Sequence, residues 1–209
     1  RAAASDIHRL AHTLLGQGVA AEQLTLIIST LNDSLTRQVI DIERRRFGLD
    51  DLRWCWLAFG SEGRYEQTIS TDQDNGIIFE ISNESPDISR ERLLPFAQAV
   101  NRALDTCGFP LCTGNIMAGN SQWCLSLAEW QATFDSWVTN TDPQALLNAV
   151  IFFDFRVVHG ESGLARTLQT HLVNLTQGNR QFQRQLAQFA VETRPPLGLI
   201  SDFVTERAG

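Results

Sequence analysis

Asp72 and Asp74, two residues apart, are the pair in this sequence best placed to do chemistry. On an extended strand residues i and i+2 point to the same face, whereas on a helix they diverge by about 200°. The isoleucine-dense run from Asn75 to Ile81 reads as a strand, so the two carboxylates should converge. Two such charges ~4 Å apart repel by about 4 kcal/mol at an effective dielectric of 20, and a cation between them removes that cost. Oxygen-only ligands at a site left open for substrate phosphate suit Mg²⁺. Ahead of the pair, Gly60-Ser61 closes an apolar run. Glycine lets backbone amides approach a phosphate, a serine hydroxyl can donate to one, and a helix starting there would offer its N-terminus. Arg64 adds a permanently charged fork of donors. A phosphate cradle followed by a metal-binding carboxylate pair is what metal-assisted nucleotidyl transfer requires: the metal aligns the attacking oxygen with the α-phosphate and neutralises the leaving pyrophosphate.

The elements that must position these residues can be read from periodicity and end signals. Residues 5–47 read as helical with a break at Gly16-Gln17-Gly18; in the second part Leu24, Ile28, Leu31, Leu35, Val39 and Ile42 paint one apolar stripe. Arg44, Arg45 and Arg46 suit the negative end of that helix better than a phosphate site, and Gly48 can close it. Leu52 to Phe59 reads as a buried strand, and the polar stretch before the second strand is too short for a full crossover. A helix is expected over about 88–106, with Pro95 in its early turns or kinking it, and a short strand around Gln122 to Leu125. Ser126 and Glu129 form a capping box ahead of a helix carrying Leu127, Trp130, Phe134 and Trp137. Asp142-Pro143 opens another helix, expected to run to about Val158. Two more fit Gly163 to Leu175 and Arg180 to Glu192, the last ended by Arg194-Pro195-Pro196. The fold class is therefore α+β: helix-rich, with a small mixed sheet flanked by N-terminal and C-terminal helices. The division expected is a helical segment over 1–48, a core over 49–138 and a helical region over 139–209.

Composition narrows the function classes. The chain has 209 residues, 43% hydrophobic and 20% charged, which is ordinary for a folded globular protein. A net charge of -7 argues against a duplex-DNA binder, although a few local cations can still hold a triphosphate. No apolar run approaches the roughly 20 residues that span a bilayer, and no signal peptide opens the chain, so a cytoplasmic location is expected. The first residue is Arg1 rather than Met, which reads as a fragment or a processed chain. Cys55, Cys107, Cys112 and Cys124 form no CxxC pair and read as free thiols.

The run Gly60-Ser61-Glu62-Gly63-Arg64, with Glu66 and Thr71-Asp72-Gln73-Asp74-Asn75, resembles the DNA polymerase β-type nucleotidyltransferase superfamily. It is similar in particular to the nucleotidyltransferases found after cyclic-nucleotide-binding and CBS-pair domains in bacterial signalling proteins, relatives of the PII-protein uridylyltransferase. Gly114-Asn115-Ile116-Met117-Ala118 and Phe153-Asp154-Phe155-Arg156 resemble that branch too. The resemblance implies an NTP substrate bound by Gly60 and Ser61, Mg²⁺ on Asp72 and Asp74, an acceptor hydroxyl on a protein or small molecule, and regulatory domains before Arg1. The superfamily usually supplies a third carboxylate from a later strand. Glu129 and Asp154 are the candidates, but the capping box accounts for the first and an arginine partner would account for the second. A catalytically impaired nucleotide-binding module is therefore the alternative reading.

Rival motifs fit less well. An EF-hand needs Gly and Glu where Ile77 and Asn83 stand, and Gly60-Ser61-Glu62-Gly63 is neither a P-loop nor a dinucleotide fingerprint. His8 and His12 share a helix face but lack a third ligand. His159 reads as a helix C-terminal cap, and Trp123, Trp130 and Trp137 as core.

Overall fold

The computed structural model describes residues 2–68, 72–81, 85–140 and 142–192. Helices α1 (Ala2–Gly16) and α2 (Ala21–Phe47) precede strand β1 (Trp54–Ala58) and a single helical turn, α3 (Gly60–Gly63). Then come β2 (Asn75–Phe79), α4 (Pro86–Cys107), β3 (Cys124–Ser126), α5 (Leu127–Thr139), α6 (Pro143–Phe152), β4 (Arg156–Gly160), α7 (Ser162–Thr176) and α8 (Arg180–Glu192). The four strands form one mixed sheet in the order β3-β2-β1-β4, antiparallel at β1/β2 and β1/β4 and parallel at β2/β3. The α+β architecture with a small mixed sheet among helices is thus the observed one. Among the described residues no helix is long and apolar enough to cross a membrane.

The continuous apolar run of β1 follows from helices covering both faces of the sheet. Trp54, Trp56 and Ala58 face one way with Ile77 and Phe79, against Val39 and Ile40 of α2 and Leu93, Phe96, Ala97 and Val100 of α4. Cys55, Leu57 and Ile78 face the other way, against Trp130, Phe134, Phe152, Leu164 and Leu168. Trp130 is buried, while Trp123 and Trp137 pack at the edge of the same cluster. The expected end signals are present. Gly48 in the left-handed conformation donates to the Arg44 carbonyl, the Ser126–Glu129 capping box is formed, and Asp142 caps α6 with Pro143 behind it. Phe182 of α8 packs on Val138, Leu146 and Ala149, and the expected stop at residues 194–196 lies outside the described residues.

Three expectations are corrected, for the helix after Asp142, for His159 and for the stripe on α2. The helix from Asp142 stops at Phe152, and residues 156–160 form β4 instead of its last turns. The β-branched Val157 and Val158 complete the open edge of β1, and that pairing outweighs local helix propensity. His159 consequently caps no helix: its Nε2 lies 3.0 Å from Asp41 Oδ1 and its ring stacks on Trp54. The stripe on α2 is not purely apolar, since Ile42 is 64% exposed while Asn32 and Asp33 are buried. In α4, which starts at Pro86 behind a Ser85 cap, Pro95 lies in the interior on the exposed side.

Gly160 ends β4 at φ +96, and a Cβ there would lie 2.4 Å from the Trp54 carbonyl oxygen. Gly160→Ala should therefore destabilise the fold by more than about 1 kcal/mol, read as a lower urea midpoint, because both the conformation and the contact reject a side chain.

Candidate metal and nucleotide site

The Asp72–Asp74 segment lies in non-ladder backbone just ahead of β2, and it continues the β1/β2 pairing through Phe59 N–H donating to the Asp74 carbonyl at 3.0 Å. Burial alternates along it: Asp72 and Asp74 are partly exposed, while Gln73 and Asn75 are each 2% exposed. The inward amides are held by a closed network. Gln73 Nε2 donates to the Phe109 and Asn101 carbonyls at 2.8 and 3.1 Å. Asn101 Nδ2 donates to Gln73 Oε1 and Asn75 Oδ1, and Asn75 Oδ1 also accepts from Ala118 N–H. Asp-Gln-Asp-Asn is thus one alternating unit, amides anchoring inward and carboxylates converging outward.

The third group beside the carboxylates is a thiol. Asp72, Asp74 and Cys112 each offer a ligand atom, and these atoms lie within 4.8 Å of one another, the one such His/Cys/Asp/Glu group among the described residues. Cys112 is brought there by backbone bonds that tie both ends of its loop to the aspartate segment: Gln73 N–H donates to the Pro110 carbonyl and Asn75 N–H to that of Ile116. Burial, with lesser opposition from the Cys112 hydrogen bond, raises the Asp74 carboxyl above its ordinary value, and the Asp72 charge adds to the rise. Burial and the Asp74 contact push the Cys112 thiol up to about 11. The donor set fits a divalent cation, with two oxygens and one sulfur rather than three oxygens.

Neither candidate third carboxylate joins this group. Glu129 accepts from Ser126 N–H and Oγ at 2.7 Å and pairs with Arg90. Asp154, in the turn between α6 and β4, pairs with Arg64 at 2.9 Å. Arg64 also donates to Glu66 at 2.7 Å, so its guanidinium is shared between two carboxylates.

Gly60 and Ser61 leave β1 at a sharp turn with Gly60 at φ +52. The helix expected there is one turn only, so it contributes local amides rather than a helix dipole. Gly63 packs so tightly that a Cβ would lie 2.1 Å from the Asp154 carbonyl oxygen. Glu62 extends inward, is densely surrounded by protein and accepts from Gln67 Nε2 at 2.6 Å. Gln67 Oε1 in turn accepts from Asn32 of α2 at 3.2 Å. With Asp33, Gln73 and Asn75 these residues line a small cavity of about 10 Å³, near the volume that one water needs. Arg156 closes the assembly, with Nη1 and Nη2 on Asp33 at 2.6 and 2.8 Å, Nε donating to the Glu62 carbonyl at 3.0 Å, and its Cζ 3.9 Å from the Tyr65 ring centroid. The sequence alone gives Glu62, Asn32, Asp33, Arg156 and Cys112 no role in the site, although Glu62 and Arg156 lie within its motifs; the alternation that turns Asp72 and Asp74 outward also points Gln73 and Asn75 inward. Thr71 of the motif lies outside the described residues.

A family model described as "Putative nucleotidyltransferase DUF294" matches residues 5–144. No curated protein and no solved structure matches the chain.

Removing Arg156 leaves the buried Asp33 with the half-exposed Arg37 alone, so Arg156→Met should cost about 1–3 kcal/mol, measured by chemical denaturation. The Glu62 carboxyl is raised well above its ordinary value, first by burial and then by the Asp74 charge. Such a group holds its proton longer in the folded protein than in the unfolded chain. Stability therefore falls as pH climbs from the ordinary glutamate range through the raised value. In chelator, Glu62→Gln should be more stable than wild type at neutral pH, with the difference closing in acid. A pH-independent difference in urea midpoints would contradict this account.

Proposed function

Because the chain belongs to the nucleotidyltransferase family DUF294, we propose that it transfers a nucleoside monophosphate from an NTP to a hydroxyl on a protein or small molecule. The observation that supports this most is the convergence of Asp72 and Asp74 on one side of a strand end, beside the Gly60-Ser61 turn that leaves the neighbouring strand. In the reaction the acceptor oxygen attacks the α-phosphorus, a new phosphoester forms and the α–β bridging bond breaks. Pyrophosphate leaves and the hydroxyl proton passes to solvent. Asp72 and Asp74 would hold a divalent cation such as Mg²⁺, which would supply neutralisation of the charge that builds on the phosphates. Gly60 and Ser61 receive the triphosphate through backbone amides and hydroxyl. Arg64 joins them by exchanging Glu66 or Asp154 for phosphate. Placement behind regulatory domains of a cytoplasmic bacterial signalling protein, with residues 49–138 as the nucleotidyltransferase core between helical segments 1–48 and 139–209, completes the proposal.

The occupation of Glu129 and Asp154 elsewhere favours a second reading, a nucleotide-binding module without turnover. Calorimetry with each Mg·NTP tests binding: the wild type should bind at least one, and Asp72→Asn and Asp74→Asn should each weaken it by about tenfold or more, as expected for loss of a carboxylate at a charged site. Undiminished binding in both variants rules out the site. Pyrophosphate release with added acceptors separates transfer from binding alone.

A further inference from the structure

The geometry points to Cys112 as the third ligand of the Asp72–Asp74 site, so that the site takes a thiophilic divalent cation of the zinc class more tightly than it takes Mg²⁺. The inference rests on the reading of Asp72 and Asp74 as metal ligands and refines which ion they hold. The ligand atoms of all three residues lie within 4.8 Å of one another, close enough to share one cation. The sulfur is not there by chance flexibility of a loop. Backbone bonds on either side, at Pro110 and Ile116, zip the loop to the aspartate segment. Asn115 N–H returns to the Cys112 carbonyl, and the Trp123 indole N–H donates to the Asn115 carbonyl at 3.0 Å. Cys112 is also partly exposed, unlike Cys55 and Cys124, which are buried in the core.

Thiolate sulfur selects zinc-class ions over Mg²⁺, which demands oxygen and dehydrates reluctantly. Three protein ligands with one position left open is the arrangement of catalytic rather than structural zinc. On binding, the sulfur–metal bond forms, the thiol proton passes to solvent, and Asp74 exchanges its hydrogen bond from Cys112 for the cation. Mg²⁺ can use the two carboxylates but gains little from the sulfur.

Cobalt(II) titration of the whole chain provides the test, because a thiolate ligand gives a near-ultraviolet charge-transfer band that carboxylates do not. The wild type should develop this band, and zinc should displace it. Cys112→Ser, checked for folding by its unfolding midpoint, should lose the band and bind zinc about 10- to 100-fold more weakly, at least the effect of losing an outer-shell partner. Cys107→Ser should keep both. Absence of the band in the wild type, or its survival in Cys112→Ser, overturns the role of Cys112. Failure of the underlying site is seen separately, as Mg·NTP heats that Asp72→Asn and Asp74→Asn leave unchanged.

Discussion

The bidentate pair between Arg156 and Asp33 is the interaction on which the rest of the site depends. Both side chains are nearly removed from solvent, at 12% and 8% exposure, so their desolvation is costly and the pair gives little net stability by itself. Its value is registry. One guanidinium fixes α2 through Asp33, the Gly60–Gly63 turn through the Glu62 carbonyl, and the start of β4 from which it projects. Tyr65, held at φ +60, lies over the same cation. Asp33 also accepts from Arg37, whose Nε donates to the Val158 carbonyl. Asp33 is therefore held from two sides, and the turn after β1 is tied to both α2 and β4.

The aspartate segment is stiffened from the other side by α4. Asn101 bridges the side chains of Gln73 and Asn75 while accepting from Gly119 N–H, so the amides under the carboxylates have few alternatives. A satisfied buried network of this kind rigidifies what it supports. The two aspartates are thereby held close together, and burial, more than the charge of Asp72, raises the Asp74 carboxyl.

What was legible in the sequence was local. The capping box at Ser126, the Asp142-Pro143 start, the Gly48 stop and the strands on either side of the motif all depend on residues within a few positions of one another. So does the same-face placement of Asp72 and Asp74, which needs only extended backbone. What escaped depends on distant chain. β4 is a strand because β1 lies beside it about a hundred residues earlier, and Val157-Val158 alone could be read as a helix end. Asn32 and Asp33 look like solvent positions on α2 until Gln67 and Arg156 arrive. Cys112 looks like a loop thiol until the backbone bonds at Pro110 and Ile116 set it beside the carboxylates.

Distance along the chain also orders assembly in time. Every proposed metal and phosphate ligand has emerged once residue 112 is made, yet the brace that sets the Gly60–Gly63 turn spans 123 residues and arrives only with β4. Long-range closures of this sort form late in folding, because chain entropy is spent before the contact rewards it. A growing or truncated chain thus passes through a stage with the full motif and no scaffold behind it, its acidic face still unpartnered by Arg156. The family match itself ends at residue 144, before β4 begins. A fragment cut at that boundary would carry the signature intact and lack the strand that holds it in shape.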